Sequence, residues 1–159
     1  MTNQIEELKK DGFKGFKRVK ELRISIEDIP YKKGVYVVIR YNRDKPEFEE
    51  KGTGGHFKGK DPNKPIEDLI KKWVEGSFII YIGQTERTLN ERIEELLKFG
   101  NGQRVAHWGG RLIWQLKDRE DLIIAWKELP EGDPAKKEHE MLKSFKERYK
   151  KLPFANLRS

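Results

Sequence analysis

The chain contains no cysteine, and this absence excludes several kinds of site. Without a thiol there is no disulfide framework, no thiolate nucleophile and no cysteine-based zinc centre. Long apolar runs are also missing, and residues 1–22 are too polar for a signal peptide. We therefore expect a cytoplasmic protein that does not bind membranes.

Acidic residues are outnumbered by basic ones, 27 against 34, which gives a formal net charge of +7. A basic surplus favours polyanionic partners, because each lysine or arginine that contacts a phosphate releases condensed counterions. Charged residues make up 38% of the chain, so a generally well-solvated surface explains the same surplus. Composition by itself therefore favours nucleic acid only modestly.

Two apolar stretches, 34–41 and 78–84, have the pattern of β-strands, and each contains a single tyrosine among its central residues. The other patterned segments predict a third strand at 121–129 and helices at 65–76, 89–98 and 134–151. Segment 107–117 fits a helix or a strand equally well. We expect an α/β (α+β) fold with a small, mainly antiparallel three-stranded sheet flanked by helices.

A length of 159 residues fits one domain. Residues 1–30 form a predicted helical extension, broken at its glycines, and 42–77 form a predicted insertion between the first two strands. Within the insertion, Gly54–Lys60 superficially resembles a phosphate loop, but Asp61 stands where a serine or threonine is required. Either a solvated loop or a flexible basic loop is expected there. In the second case Lys58 and Lys60, together with Arg111, would contact a nucleic-acid backbone.

One carboxylate points towards a surface that should be apolar. Met141, Leu142, Phe145 and Tyr149 define the apolar face of the last helix, and helical spacing places Glu138 in the middle of that face. A buried carboxylate is costly unless it is paired or binds a metal ion. Glu138 therefore either forms an ion pair with one of the many cations or belongs to a site.

Three other polar residues have equally plain structural explanations. Arg92 lies at the edge of the buried stripe of the 89–98 helix, as boundary arginines often do. Asn156 follows the last helix and fits a turn asparagine that bonds local backbone. His107 stands next to Trp108 and fits a buried structural histidine. Each alone is weak evidence for a site.

Taken in order, these residues resemble the motifs of the GIY-YIG nuclease family. Gly34–Tyr36 is similar to the first motif, and Tyr81–Gly83 matches the second. Leu89–Arg92 fits the arginine motif of the family's first helix, Glu138–Leu142 fits its glutamate motif, and Asn156 matches a late asparagine. Five elements in the right order form a much stronger signal than any one of them.

The resemblance covers residues 33–157 and implies a divalent-metal-dependent endonuclease acting on nucleic acid, DNA rather than RNA. It implies that Glu138 holds one Mg²⁺ or Mn²⁺ ion and that Arg92 contacts the phosphate. The catalytic residues implied are Tyr36, Tyr81, Arg92, Glu138 and Asn156, with His107 as a further candidate for proton relay. Which tyrosine acts as the base stays open.

The chain departs from the family pattern in three places, and these keep two other hypotheses open. Residues 37–80 replace a short hairpin, Gln84 replaces a frequent lysine, and Leu96 replaces a frequent histidine or tyrosine. A catalytically weak or inactive nucleic-acid-binding module on the same fold is the first alternative. A nucleotide-binding or protein-interaction domain is the second. Specificity would come from the insertion, the N-terminal extension or a protein partner.

Overall fold

A computed structural model describes residues 2–157. The strands are β1 (Lys14–Arg18), β2 (Gly34–Ile39), β3 (Ile79–Thr85) and β4 (Ile123–Glu128). The helices are α1 (Thr2–Lys10), α2 (Val19–Leu22), α3 (Ile66–Lys72), α4 (Leu89–Gly100) and α5 (Pro134–Tyr149). All strand pairs are antiparallel, and the sheet order is β1-β4-β2-β3. The expected α+β class is confirmed.

The sheet has four strands rather than the three expected, because the N-terminal helix is shorter than its pattern suggested. α1 ends at Lys10, and Gly12 and Gly15 have φ angles of +96° and +92°, which turn the chain into β1. Gly15 also faces Trp126 of β4, whose ring would lie 2.6 Å from an added Cβ. The glycines that interrupt the helical pattern therefore begin a turn and an edge strand.

β2 is an inner strand of the sheet. It pairs with β3 on one side and β4 on the other, so the two tyrosine-bearing strands are direct neighbours. All six of its residues are buried. One face of the sheet packs against α1 and α5, and the other against α2, α4 and the 3₁₀ segment Trp108–Gln115. Residues between two layers need apolar side chains, which explains the unbroken apolar run.

A bulge in β3 changes which side chains share a face. Val38 pairs with Tyr81 but Ile39 pairs with Ile79, so Ile80 has no direct partner. As a result Ile80 and Tyr81 both pack on the α4 side, whereas strict alternation predicted opposite faces. Bulges of this kind change the direction of side chains, and here the side chain concerned is Tyr81, one of the two tyrosines predicted to be catalytic.

The predicted starts of the helices at 89 and 134 are confirmed, whereas segment 107–117 forms neither the α-helix nor the strand that its pattern allowed. Thr88 Oγ1 accepts a hydrogen bond from Glu91 N at 3.1 Å, and Asp133 Oδ1 accepts one from Lys136 N at 3.2 Å. Residues Trp108–Gln115 form 3₁₀ turns. Trp108, Gly109 and Gly110 at the start of this segment disfavour a longer helix.

No helix in the described part of the chain is long and apolar enough to cross a bilayer.

The segment between β2 and β3 contains α3 and one 3₁₀ turn, and it is anchored to the body of the protein. Gln115, which is buried, accepts a hydrogen bond from Lys64 N at 2.9 Å and donates one to Lys64 O at 2.8 Å. Phe48 and Trp73 from this segment pack against Phe154, with ring centroids 5.5 Å and 5.2 Å from its ring. The long insertion therefore packs as part of the fold.

Candidate active site

An open cleft of about 590 Å³ lies beside β3 and the first turns of α5. Its lining residues are Tyr81, Trp108, Gly109, Arg111, Glu138, Asn156 and Leu157. Three of the residues predicted to be catalytic and one of those predicted to bind nucleic acid therefore meet here. They come from three distant parts of the chain, which only the fold brings together.

The two motif tyrosines lie side by side behind this cleft. Their ring centroids are 6.1 Å apart. Gly83 is paired directly with Tyr36 across the strands, and a Cβ at Gly83 would lie 2.5 Å from Tyr36 Cζ. The glycine of the second motif thus provides the space that the tyrosine of the first motif occupies. Tyr36 is 1% exposed, whereas Tyr81 is 7% exposed and lines the cleft.

Burial makes both phenols weak acids in the free protein. It raises the pKa of Tyr36 well above its ordinary value, and the neighbouring Tyr81 raises it further. It also raises the pKa of Tyr81 to about 12. The positive charge of Arg92 acts in the opposite direction and lowers the pKa of both hydroxyls. Arg92 is therefore the group that favours a phenolate here.

His107 lies on the inner side of the tyrosines and is fully buried. Its Nε2 is 2.8 Å from the Tyr36 hydroxyl oxygen, while its Nδ1 has no hydrogen-bond partner among the described residues. Burial lowers the pKa of His107 to about 3, and the charge of Arg92 adds to that effect. The imidazole is therefore neutral at physiological pH. It contacts the Tyr36 hydroxyl and does not line the cleft.

Arg92 is held in place by a network on α4. Its Nη1 donates to Glu95 Oε1 at 2.9 Å and also to the carbonyl of Ala106. Arg87 donates to the same Glu95 oxygen at 2.7 Å. Glu95 was not predicted as a site residue, although its position three residues after Arg92 places both on one helical face. Arg92 is close to the tyrosine hydroxyls but is not one of the residues that line the cleft.

Glu138 is half-buried at the cleft wall. Burial raises the pKa of its carboxyl group. Among the described residues, no lysine, arginine or histidine nitrogen lies within 4 Å of it, so the ion-pair explanation considered from the sequence is not what the fold shows. Glu140, two residues further along α5, is exposed, because helical spacing places it about 200° away from Glu138. Because burial disfavours the ionised form of Glu138 and no described cation compensates for that cost, a bound cation would stabilise the ionised carboxylate.

The donor set around Glu138 suits a hard cation that keeps its water. No group of three or more histidine, aspartate or glutamate side chains in the described part of the chain could form a protein cage for a metal. Mg²⁺ binds through one or two carboxylates and retains several waters, with the remaining ligands supplied by substrate phosphate. One carboxylate facing an open cleft fits this mode of binding.

Asn156 closes the outer edge of β3. Its Oδ1 accepts from Ile82 N at 2.9 Å and its Nδ2 donates to Ile82 O at 2.9 Å. Next to it, Ala155 N donates to Ile80 O at 2.8 Å. Each atom of the side-chain amide therefore already has a backbone partner, and Asn156 acts on the site by fixing β3 next to the cleft.

The remaining predicted residues lie elsewhere. Lys58 and Lys60 are exposed residues of the insertion and do not line the cleft. Leu96 packs in the core at 1% exposure, so no polar group of α4 stands where many family members are expected to have one. The side-chain oxygen of Gln84 is buried without a hydrogen-bond partner among the described residues. Trp108 and Gly109 were not predicted to line the cleft, and no sequence pattern identified them.

We compared the chain with family models, with curated proteins and with solved structures, and none of the three comparisons gave a match.

Proposed function

We propose that this protein is a divalent-metal-dependent endonuclease that hydrolyses phosphodiester bonds in DNA, on a fold of the GIY-YIG type. One observation carries the proposal. The half-buried, unpaired carboxylate of Glu138 faces the same open cleft as Tyr81. The positive charge of Arg92 lowers the pKa of the Tyr81 hydroxyl. A cation site, a potential base and a positive charge near that base are groups that phosphodiester hydrolysis requires.

Glu138 is the residue that would hold the metal ion. The bound ion would neutralise charge on the phosphate and polarise a water molecule. The protein contributes the position of the carboxylate on α5, its partial burial, and the neighbouring wall formed by Trp108 and Gly109. Because the burial raises the free energy of the ionised carboxylate, a cation bound there would relieve that cost.

Tyr81 is the better candidate for the base, because it reaches the cleft and Tyr36 does not. The Tyr81 phenolate would take a proton from the attacking water, and the P–O bond to the leaving oxygen would break as the new P–O bond forms. The leaving oxygen would take a proton from solvent. The hydrogen bond between Tyr36 and His107 would hold the Tyr36 hydroxyl in place behind Tyr81. We assign to Arg92 the lowering of the phenol pKa, and to Arg111 the contact with the phosphate inside the cleft.

Cleavage of supercoiled plasmid tests this function directly. The wild-type protein with Mg²⁺ or Mn²⁺ is expected to nick the plasmid, and chelation of the metal is expected to stop it. Arg92→Ala is expected to lower the rate by roughly 10²-fold, because loss of its charge raises the pKa of Tyr81 and leaves less phenolate to act as the base. A wild-type protein that binds DNA but cuts none of a varied set of DNA substrates with either metal would replace this proposal with the non-catalytic binding module. Gln84 and Leu96 favour that alternative.

The pH dependence of cleavage separates the candidate bases. Since the pKa of Tyr81 is about 12, the phenolate is a small fraction at neutral pH and increases with pH. The cleavage rate is therefore expected to rise by nearly tenfold for each pH unit over roughly pH 7–9. A rate limited by His107 as base would be flat over this range, because its pKa of about 3 leaves it neutral throughout. A slope that persists unchanged in Tyr81→Phe would exclude Tyr81 as the base.

A further inference from the structure

Four cations converge next to the cleft from separate parts of the chain. Lys64 and Lys72 belong to the insertion, Arg111 belongs to the 3₁₀ segment, and Lys151 follows α5. Lys72 is partly buried, and its burial lowers the pKa of its ammonium group. The positive charges of Lys64, Arg111 and Lys151 lower it further, so all three lie close enough to repel it.

None of these four cations has a carboxylate within 4 Å among the described residues. Ion pairs join some of the other basic residues, such as Lys20 with Asp121 and Lys98 with Glu94. Exposed lysines such as Lys58 and Lys60 have no carboxylate partner in the described part of the chain either, but Lys72 differs from them because it is partly buried. Unrelieved repulsion in a partly buried group costs stability, and an anion bound between the four side chains would remove that cost.

The fold holds three of the four positions by specific contacts. The Gln115 side chain fixes the Lys64 backbone through two hydrogen bonds of 2.9 Å and 2.8 Å. Arg111 lies over the ring of Trp108, with its guanidinium carbon 4.4 Å from the ring centroid, and its Nη1 donates to Trp108 O at 3.1 Å.

Lys151 Nζ donates to the carbonyls of Lys71 and Trp73, each at 3.0 Å, which places its charge at the C-terminal end of α3. The Gln115 side chain, the Trp108 ring and the C-terminal carbonyls of α3 thus hold Lys64, Arg111 and Lys151 in fixed positions.

We infer that Lys64, Lys72, Arg111 and Lys151 form a phosphate-binding surface that holds the DNA backbone next to the cleft. This inference rests on the proposed function and deepens it. Arg111 is the junction, because it lines the cleft with Glu138 and also belongs to the four-cation cluster. A strand whose phosphate is at Glu138 would continue past Arg111 towards Lys72 and Lys64. The insertion between β2 and β3 therefore supplies substrate contacts, in place of the exposed loop with Lys58 and Lys60 that the sequence suggested.

Salt-dependent binding measures this surface without requiring cleavage. A short fluorescein-labelled DNA duplex is titrated in the presence of EDTA with the wild type and with the double variant Lys64→Ala/Lys72→Ala. Each lost phosphate contact lowers the slope of log Kd against log salt by about 0.9, so the double variant is expected to lose about 1.8. Its affinity at about 0.1 M salt should fall by roughly tenfold or more.

The matched control is Lys20→Ala/Lys98→Ala, which changes the net charge equally but removes lysines that already have carboxylate partners. It is expected to change the slope little. If the control and the double variant weaken binding equally, the effect is one of general charge and the inference is wrong. A wild type that binds no DNA at low salt overturns it as well, and a loss confined to an RNA probe would assign the surface to RNA instead of DNA.

The test also separates this inference from the proposed function. A wild type that never cuts DNA, combined with the expected loss of slope, would leave the surface standing on a binding module. A wild type that cuts DNA, combined with a double variant that matches its control, would leave the nuclease and remove the surface. Circular dichroism and thermal melting of both variants show whether the fold is intact, and Lys72→Gln provides a milder substitution if it is not.

Discussion

Replacement of Glu138 by glutamine is expected to abolish metal-dependent cleavage and to make the protein slightly more stable. The loss of rate should be roughly 10³-fold, because a bound metal ion supplies several kcal/mol of charge stabilisation in the transition state. DNA binding in EDTA should persist. Glutamine has nearly the same shape as glutamate, so the wall of the cleft keeps its packing. Single-turnover cleavage of a plasmid measures the rate.

The expected gain in stability follows from the direction of the pKa shift. Burial raises the pKa of Glu138 in the folded protein, so its ionisation destabilises the fold as the pH rises through that raised value. Above it the wild type carries a cost that glutamine lacks, whereas below the ordinary carboxyl pKa both side chains are neutral. The Tm of Glu138→Gln should therefore exceed that of the wild type at about pH 8 and match it at about pH 3.

Glu140→Gln is the matched control, since it makes the same change in charge on an exposed residue of the same helix. It should keep the wild-type rate. Mg²⁺ should raise the Tm of the wild type and of Glu140→Gln, because ligands stabilise the state that binds them, but not that of Glu138→Gln. Full activity in Glu138→Gln would remove Glu138 from the site. A Tm response to Mg²⁺ in Glu138→Gln would place the metal elsewhere.

Removal of the Tyr81 hydroxyl is expected to lower mainly the cleavage rate, whereas removal of the Tyr36 hydroxyl is expected to lower mainly the stability of the fold. Tyr81→Phe should lower the cleavage rate by about 10²–10⁴-fold, the usual contribution of a general base, and change stability little. Tyr36→Phe should reduce the free energy of unfolding by about 1–3 kcal/mol, because buried His107 Nε2 loses its 2.8 Å partner. Its rate should fall by less than that of Tyr81→Phe. Urea unfolding and plasmid cleavage of both variants measure these quantities.

The reverse ranking would exchange the roles of the two tyrosines. If Tyr36→Phe lost more activity than Tyr81→Phe at a temperature where both variants are folded, the base would be Tyr36. Because the two substitutions are chemically identical, the comparison provides its own control. Equal, small losses in both would show that neither phenol takes part in catalysis.

Much of the fold and of the cleft could be predicted because local patterns determine them. The helical period placed Glu138 on the inner face of the last helix, and the predicted helices 89–98 and 134–151 begin at the residues where α4 and α5 begin. These features depend on residues within one or two turns of each other, so the sequence alone contains them.

The parts that were wrong or incomplete depend on contacts between distant segments. β1 becomes a strand because β4 offers it an edge, and Gly15 is needed there to fit Trp126. The bulge at Ile80 arises in the pairing with β2, so the alternation of β3 alone could not show it. The four-cation surface joins the insertion to residues after α5, and nothing in the spacing of its lysines identified it.

The pairing of Asn156 with Ile82 also affects how the protein behaves in concentrated solution. β3 is the last strand of the sheet, and an uncovered edge strand is a template for adding a strand from another molecule. Ala155 and Asn156 occupy the backbone groups of Ile80 and Ile82 that such a strand would use. The same two residues that steady Tyr81 thereby help to keep neighbouring copies of the chain from aggregating through this edge.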